Sequence, residues 1–430
     1  MPKPAFNAIK NSLRAFLGGA EVSLIELEKG EKKPTTTGDD LGLLIKEIKI
    51  DGIRYVFRAS RDDLAFTAME SDFIGELMVA FEGLFAGFSA DGFAAHFRTA
   101  LLTSLTDIAV ARYIRGDRKG VFWPTQSLIQ LLKSLSYQRY ESTPATTGFL
   151  VYRTQLDDFV KTLQNTRYDW LDLGKNSPAI NSDFFRNPLP YRLIDGYRAL
   201  FVCDIRMSLK GAIRTSAPGP RDNIEQLANR ETVALLTDAG DDAFAIFVNK
   251  SSEVEVVLQN DKLLLWRKGY WGIFDPDIMR EFLAKKLNKR SIENLIWTMY
   301  ALSKSRHGTV VLITDDQKDL DALRMGSIGG RDPLSRALIK HVRGRKIGTL
   351  KRSGELSRIL SSDGLTVINR KGEVLDTGVI IDTSKVSDLV TGGGRTTAAT
   401  AASHFGPVIK VSEDGQIVLF RNGQQIYHFG

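Results

Sequence analysis

The chain has 430 residues, 43% of them hydrophobic and 25% charged, the balance of a soluble globular protein with room for two or three domains. A net charge of +7 suits an anionic ligand such as a nucleotide; it does not require a nucleic acid partner, and nucleic acid is not excluded. The one cysteine, Cys203, excludes an intrachain disulfide and a thiolate metal centre and fits a reducing, cytoplasmic location.

The first residues are basic and apolar but lack the continuous apolar core of a signal peptide. Residues 1–62 predict a short helix followed by strands. A polar loop, residues 28–40, precedes the segment IKEIKIDGIRYVFRAS, which alternates apolar and polar residues around Asp51-Gly52 in the manner of a β-hairpin. Residues 63–115 predict helices with a break at 89–92. Phe73, Leu77, Phe81 and Leu84 fall at helical spacing and Glu76 and Glu82 interrupt the run, so a buried helix is expected there, with no membrane partner.

Beyond residue 115 the sequence states one order twice. Residues 126–163 read as an amphipathic helix, Gly148, a strand FLVYR, a polar turn and a helix. Residues 288–320 read as a helix with Ile292, Leu295, Ile296 and Met299 on one face, Gly308 as its stop, a buried strand TVVLI and an acidic turn into another helix. Strand–turn–strand patterns follow at 194–216 and 362–384, opened by Asp195-Gly196 and Asp363-Gly364. Residues 229–266 and 394–429 then each give an arginine (Arg230, Arg395), a short helix, a strand, a turn and a hairpin. A diverged internal duplication explains the shared order; two α/β units with a generic pattern in common are the alternative. The expected class is α/β with mixed sheets. The expected parts are an N-terminal extension of hairpin and helices (1–115), a degenerate copy (116–266) and a second copy (267–430), with Asp275-Pro276 opening the first helix of the last.

Several residues could carry chemistry. TGGGRTT, residues 391–397, lets the backbone take positive φ and precedes a helix start, where amides and a partial positive charge suit a phosphate. Arg395 could add a bidentate pair, and Thr396 and Thr397 hydroxyl donors. The local pattern equally describes a glycine-rich turn with threonine caps. Asp363 could hold a divalent metal or a sugar hydroxyl, or simply make a turn, and Glu413 in VSEDGQ is a second candidate metal ligand or a solvated turn acid. His96, His307, His341, His404 and His428 show no metal-ligand spacing. No Walker-type loop, nucleophile elbow or dinucleotide fingerprint is present. KHVRGRK, residues 340–346, is a basic run that suits a solvated surface or phosphates, and residues 216–223 read as a loop.

The motifs SRHGTVVLITDD, SSDGLTVINRKGEVLDTGVII, GGGRTTAATAA and VIKVSEDGQIVLFRNG, taken in this order over residues 290–424, resemble the diadenylate cyclase (DAC) domain. The resemblance covers about a third of the chain. It implies a nucleotide site in which two domains face each other, each with one ATP and a divalent metal, and produce cyclic di-AMP. Asp363 would match the aspartate of the family's Asp-Gly-Ala motif, Arg395 the first arginine of Arg-His-Arg, and Glu413 the acid of the final turn. The glycine-rich loop, placed after Asp363 in this order, then reads as a phosphate contact.

The departures point away from catalysis. Leu365 replaces the small residue after Asp363-Gly364, and Thr396 and Thr397 replace a histidine and an arginine. Threonine supplies neither a cationic clamp nor an imidazole. In the first copy the motifs read Asp195-Gly196-Tyr197 and Arg230-Glu231-Thr232. The resemblance therefore implies a nucleotide-binding sensor of bacterial signalling or defence. It would bind a nucleotide or cyclic dinucleotide through Asp363, Gly364, Gly393, Gly394, Arg395, Thr396 and Thr397, with Asp195, Gly196 and Arg230 as first-copy equivalents. Its output would be an effector protein, and two copies in one chain could form an internal pseudo-dimer. The alternative is an active cyclase or nucleotidyltransferase with Asp363 catalytic and Asp363 and Glu413 on Mg²⁺ or Mn²⁺. A third reading is a scaffolding protein that binds no nucleotide.

Overall fold

A computed structural model of the chain describes residues 2–28, 42–50, 52–85, 95–116, 121–153, 156–164, 168–173, 179–215, 227–240, 243–315, 321, 323–325, 332–382 and 393–430. Most of the loop at 28–40, the break at 89–92, the loop at 216–223, Asp51 and residues 391–392 of the glycine-rich stretch lie outside the described residues, as does the side chain of His96. The chain is mixed α/β and divides into two compact units, the main boundary falling between Asp275 and Pro276.

The first unit begins with α1 (Pro2–Phe16) and an antiparallel sheet of β1 (Glu21–Glu26), β2 (Leu43–Ile50) and β3 (Ile53–Ser60), with β3 central. Gly52 turns the expected hairpin at φ +80°. Then come α2 (Ala68–Phe85), α3 (Ala95–Arg115), α4 (Trp123–Ser136), a small hairpin of β4 (Arg139–Tyr140) and β5 (Thr143–Pro144), β6 (Thr147–Tyr152), α5 (Leu156–Gln164), β7 (Tyr168–Asp172), α6 (Pro188–Leu193), β8 (Ala199–Asp204), β9 (Leu209–Thr215), α7 (Arg230–Ala239), β10 (Ala243–Val248), β11 (Val254–Val257), β12 (Leu263–Arg267) and β13 (Tyr270–Phe274). The described residues of 1–115 share a core with the rest of the unit: Phe6, Phe57, Phe73 and Ile114 belong to the same buried cluster as Val151, Ile246 and Val256. Phe73, Leu77 and Phe81 are buried along α2, and Glu76 pairs with Arg112 at 3.0 Å. No helix among the described residues is long and apolar enough to cross a membrane.

The second unit contains α8 (Pro276–Leu283), α9 (Lys289–Lys304), β14 (Thr309–Ile313), α10 (Pro333–Val342), α11 (Ile347–Arg352), α12 (Leu356–Leu360), β15 (Leu365–Ile368), β16 (Val374–Val379), α13 (Gly394–Ala402), β17 (Val408–Val411), β18 (Ile417–Arg421) and β19 (Gln424–Phe429). Pro276 opens α8 and Asn288 caps α9 by accepting from the Ser291 amide at 3.0 Å. The face of Ile292, Leu295, Ile296 and Met299 is buried, as its spacing predicts.

The two large sheets share a topology. The first has eight strands, with β7 and β13 at its edges, and its inner six run β9-β8-β6-β10-β11-β12, with β6 and β8 parallel and every other neighbouring pair antiparallel. In the second the order is β16-β15-β14-β17-β18-β19, with β14 and β15 parallel and the rest antiparallel. Helix α4 packs on β10 and β11, and α9 on β17 and β18. The β10–β11 turn closes through Asn249 N to Glu253 O and Ser252 N to Asn249 O, both 3.0 Å; the β17–β18 turn repeats this with Ser412 N to Gln416 O and Gly415 N to Ser412 O, at 2.8 and 2.9 Å.

Gly308 does not stop α9. Arg306 takes the left-handed position, at φ +60°, and the His307 amide closes back on the Leu302 carbonyl. Gly308 and Gly148 answer instead to close approach. A Cβ on Gly308 would stand 2.6 Å from Nη1 of Arg395, and one on Gly148 2.8 Å from Cα of Gly196.

Candidate functional site

In the second unit Asp363, Gly364, Gly393, Gly394, Arg395, Thr396 and Glu413 line one cavity of about 560 Å³, within the range of small-ligand sites. Strand starts and helix starts bring them together. Asp363 and Gly364 lead into β15, Gly393 to Thr396 form the first turn of α13, and Glu413 sits in the β17–β18 turn. Thr397 is not among the lining residues.

The Asp-Gly turn requires its glycine. Gly364 has φ +93°, and a Cβ there would meet the backbone of Gly378 at 2.8 Å and of Val379 at 2.9 Å. This holds Asp363 at the cavity mouth with its side chain 96% exposed. The glycines before Arg395 act differently from the expectation of positive φ. Gly393 is an extended N-cap (φ −66°, ψ 164°), Gly394 is already helical, and a Cβ on either would meet nothing within 4 Å. Both line the cavity, so their missing side chains leave it open. Among the described residues no side chain caps α13; the Thr396 and Thr397 amides donate to the Gly393 carbonyl at 2.8 and 3.2 Å.

Arg395 is the hub of the rim. Nη1 donates to Glu413 Oε1 at 2.6 Å and Nη2 to Asp363 Oδ1 at 3.5 Å. The donor set proposed for a divalent metal is therefore two carboxylates that share a guanidinium, and no group of three metal-ligating side chains occurs among the described residues. A resident metal does not fit there, because it would have to sit against the charge of Arg395 with two protein ligands.

The cavity also holds residues that the motifs do not mark. Val310, Leu365, Val379, Ile381 and Ala398 make an apolar wall, and Lys410 and Ser412 add polar groups. Lys410 donates to the Thr396 hydroxyl at 2.8 Å. Burial depresses its pKa; Asp414 pulls it up and Arg395 pushes it further down. The signal available for Lys410 was a lone lysine inside VIKV, where the other three residues are buried. The basic run at 340–346 is partly turned inward. Arg343 pairs with buried Asp376 at 3.0 Å, which Arg324 also holds, and Arg345 pairs with Glu355 at 3.1 Å.

The first unit has the same turns around a smaller space. Gly196 has φ +82°, and a Cβ there would meet Thr147 backbone at 2.8 Å. Asp195 Oδ1 accepts from the amides of Tyr197, Arg198 and Ala199 at 2.9, 2.8 and 3.2 Å, so this carboxylate caps its own turn. Arg230 pairs with Asp261 at 2.7 Å. Tyr197, the residue after Asp195-Gly196, packs against Phe247, and its hydroxyl accepts from the Lys250 amide at 3.2 Å; the place of Leu365 in the sheet, opposite Val379, is held by Leu200, opposite Ile213. Burial, with Glu255 nearby, raises the Tyr197 phenol well above its usual range. What remains, bordered by Tyr168, Tyr197, Glu231 and Thr232, is about 20 Å³. Among the described residues Asp195, Gly196 and Arg230 are thus not brought to a ligand-sized cavity, and the paired rings of Tyr197 and Phe247 border the small space that remains.

No protein-family model matches the chain, and no curated protein matches it. Among solved structures that match, one described as the hypothetical membrane spanning protein from Bacillus cereus aligns at 15% identity over 36% of this chain and 70% of its own, with a TM-score of 0.27, a likeness too distant to inform fold or function.

Proposed function

We propose that the chain is a nucleotide-binding sensor built from two diverged DAC-like units in tandem, and that its second unit binds a nucleotide or cyclic dinucleotide without turning it over. The observation that carries this is the open cavity on which Asp363, Gly364, Arg395 and Glu413 converge beside an apolar wall. An apolar wall suits the faces of a base and ribose, and a guanidinium beside an uncapped helix start suits phosphates. The matching strand order, directions and turn bonds of the two sheets support the tandem reading.

Two features favour sensing over turnover. Neutral Thr396 and Thr397 provide no second cation or imidazole at the helix start, and both candidate metal ligands lie on Arg395. A divalent ion would arrive with the phosphates of the ligand. In the first unit Tyr197 borders a space of only about 20 Å³, so among the described residues the motif residues of that unit line no second ligand-sized cavity of the kind that cyclisation of two ATP molecules needs. The proposed setting is bacterial signalling or defence, in the cytoplasm, with an effector protein as the output.

The test is thermal stability of the purified chain against ATP, GTP, cyclic di-AMP and other cyclic dinucleotides, with and without Mn²⁺, followed by chromatography of each mixture. A ligand at a hundredfold excess over Kd stabilises by about 2.7 kcal/mol. The expected result is a shift that Arg395→Ala abolishes, with the ligand recovered intact. A new cyclic or linear product would overturn the claim of no turnover. Absence of any shift would overturn nucleotide binding and favour the scaffolding role.

A further inference from the structure

Lys410 pairs across the sheet with Val310 on one side and Val418 on the other. Its stem therefore crosses an apolar floor before the ammonium reaches Thr396. Among the described residues Lys410 has no ion-pair partner, whereas Arg395 faces two carboxylates at the rim. The four charged groups lining the cavity sum to zero, but they are not evenly placed. Both acids sit outward on Arg395, and the floor holds a cation bonded to a neutral hydroxyl.

The first unit supplies an internal comparison. Lys410 stands opposite Val310 on β14, and the residue in that register on β10, opposite Gly148, is Phe247. Phe247 packs against the ring of Tyr197. The cation is thus present in the unit with an open cavity and replaced by an apolar ring in the other.

We propose that Lys410 is an anion-binding residue of the cavity: its ammonium takes a phosphate group of the ligand, so the ligand enters with an anionic group on the floor and its less charged part toward the acidic rim. This rests on the nucleotide reading for the ligand's identity, but not for its charge. The predicted pH response has a definite sign. The charged groups around Lys410 are Arg395 from α13 and Glu413 and Asp414 from the β17–β18 turn, with Asp363 across the cavity. Burial makes the free ammonium easier to deprotonate than an ordinary lysine, and a bound phosphate reverses this. Binding then takes up a proton at alkaline pH. Affinity is flat while Lys410 is charged in both states, and it falls as pH rises through the lowered pKa of the free protein.

The experiment is calorimetric binding of ATP, adenosine and inorganic tripolyphosphate to the full chain and to Lys410→Met and Lys410→Arg, between pH 7 and pH 10. Methionine keeps the apolar stem, and circular dichroism checks the fold. The expected result is a loss of about tenfold or more for ATP and tripolyphosphate in Lys410→Met, no change for adenosine, rescue by Lys410→Arg, and an alkaline loss of affinity in the wild type that is absent from Lys410→Met. If tripolyphosphate binds and Lys410→Met weakens it while neither ATP nor any nucleotide of the thermal panel binds, the inference stands and the nucleotide reading fails. If ATP binds equally to wild type and Lys410→Met, the nucleotide reading stands and the inference is overturned. If neither tripolyphosphate nor any nucleotide of the thermal panel binds the wild type, both are overturned.

Discussion

Gly308→Ala isolates the contact that sets the site's geometry. The glycine is outside the left-handed region, so alanine is allowed by the backbone. Its new Cβ would lie 2.6 Å from Nη1 and 2.8 Å from Cζ of Arg395, so the guanidinium must move. Replacing a compatible glycine stabilises by about 0.4–1 kcal/mol through the unfolded state. Arg395 is 34% exposed and its partners Asp363 and Glu413 are 96% and 75% exposed, so losing its ion pairs costs about 0.2–1 kcal/mol. The two effects nearly cancel in the wild type. In an Arg395→Ala background the clash is gone and only the gain remains. The assay is urea denaturation of the four proteins of this double-mutant cycle, with a coupling equal to the displaced ion pairs, about 0.2–1 kcal/mol, expected. Equal effects of Gly308→Ala in the two backgrounds would refute the packing argument, whatever the ligand proves to be.

Gly364→Ala should behave differently, because its Cβ would meet backbone rather than a movable side chain, at φ +93°. A destabilisation of about 2 kcal/mol or more is expected in the same denaturation assay. Asp376→Ala should destabilise by about 3 kcal/mol, since it takes from the buried Arg324 guanidinium its buried partner, leaving it only the exposed Asp321 at 3.3 Å, and also frees Arg343; a loss under 1 kcal/mol would show that the pair is not held as described. Tyr197→Ala should cost about 3 kcal/mol and open a cavity in the first unit, detectable as burial of a small apolar probe.

The elements were legible where local chemistry decides. Alternation marked the β2–β3 hairpin, apolar spacing marked the buried face of α9, and Asp-Gly marked both strand entrances with glycines that the backbone does require. The convergence of Asp363, Arg395 and Glu413 was accessible only through the resemblance to the DAC domain, since each residue by itself reads equally as part of a turn. What escaped depends on contacts distant in sequence. A glycine that admits a guanidinium looks the same in a sequence as one that ends a helix, so Gly308 was assigned the role that Arg306 performs. Lys410 has no spacing signal, and Arg324, Arg343 and Asp376 meet only through folding. The packing of residues 1–115 into the core around β6 and β10 likewise leaves no periodic trace.

The two sheets make the functional argument comparative. They agree in strand order, direction, turn bonds and a left-handed glycine at the strand entrance, so their differences can be read position by position. Lys410 against Phe247 and Glu413 against Lys250 lie at or beside the cavity position, while Leu200 keeps the place of Leu365. In the first unit the ring of Phe247 packs against that of Tyr197, and its aspartate is consumed by three amides. In the second the aspartate stays exposed and the floor stays cationic. A fold that kept its open cavity merely as a packing defect would have no reason to surround it with an exposed acid, a positioned arginine and a half-buried lysine. Among the described residues that lysine has no ion-pair partner, so desolvating it works against stability, and the anionic ligand proposed above would offset the cost.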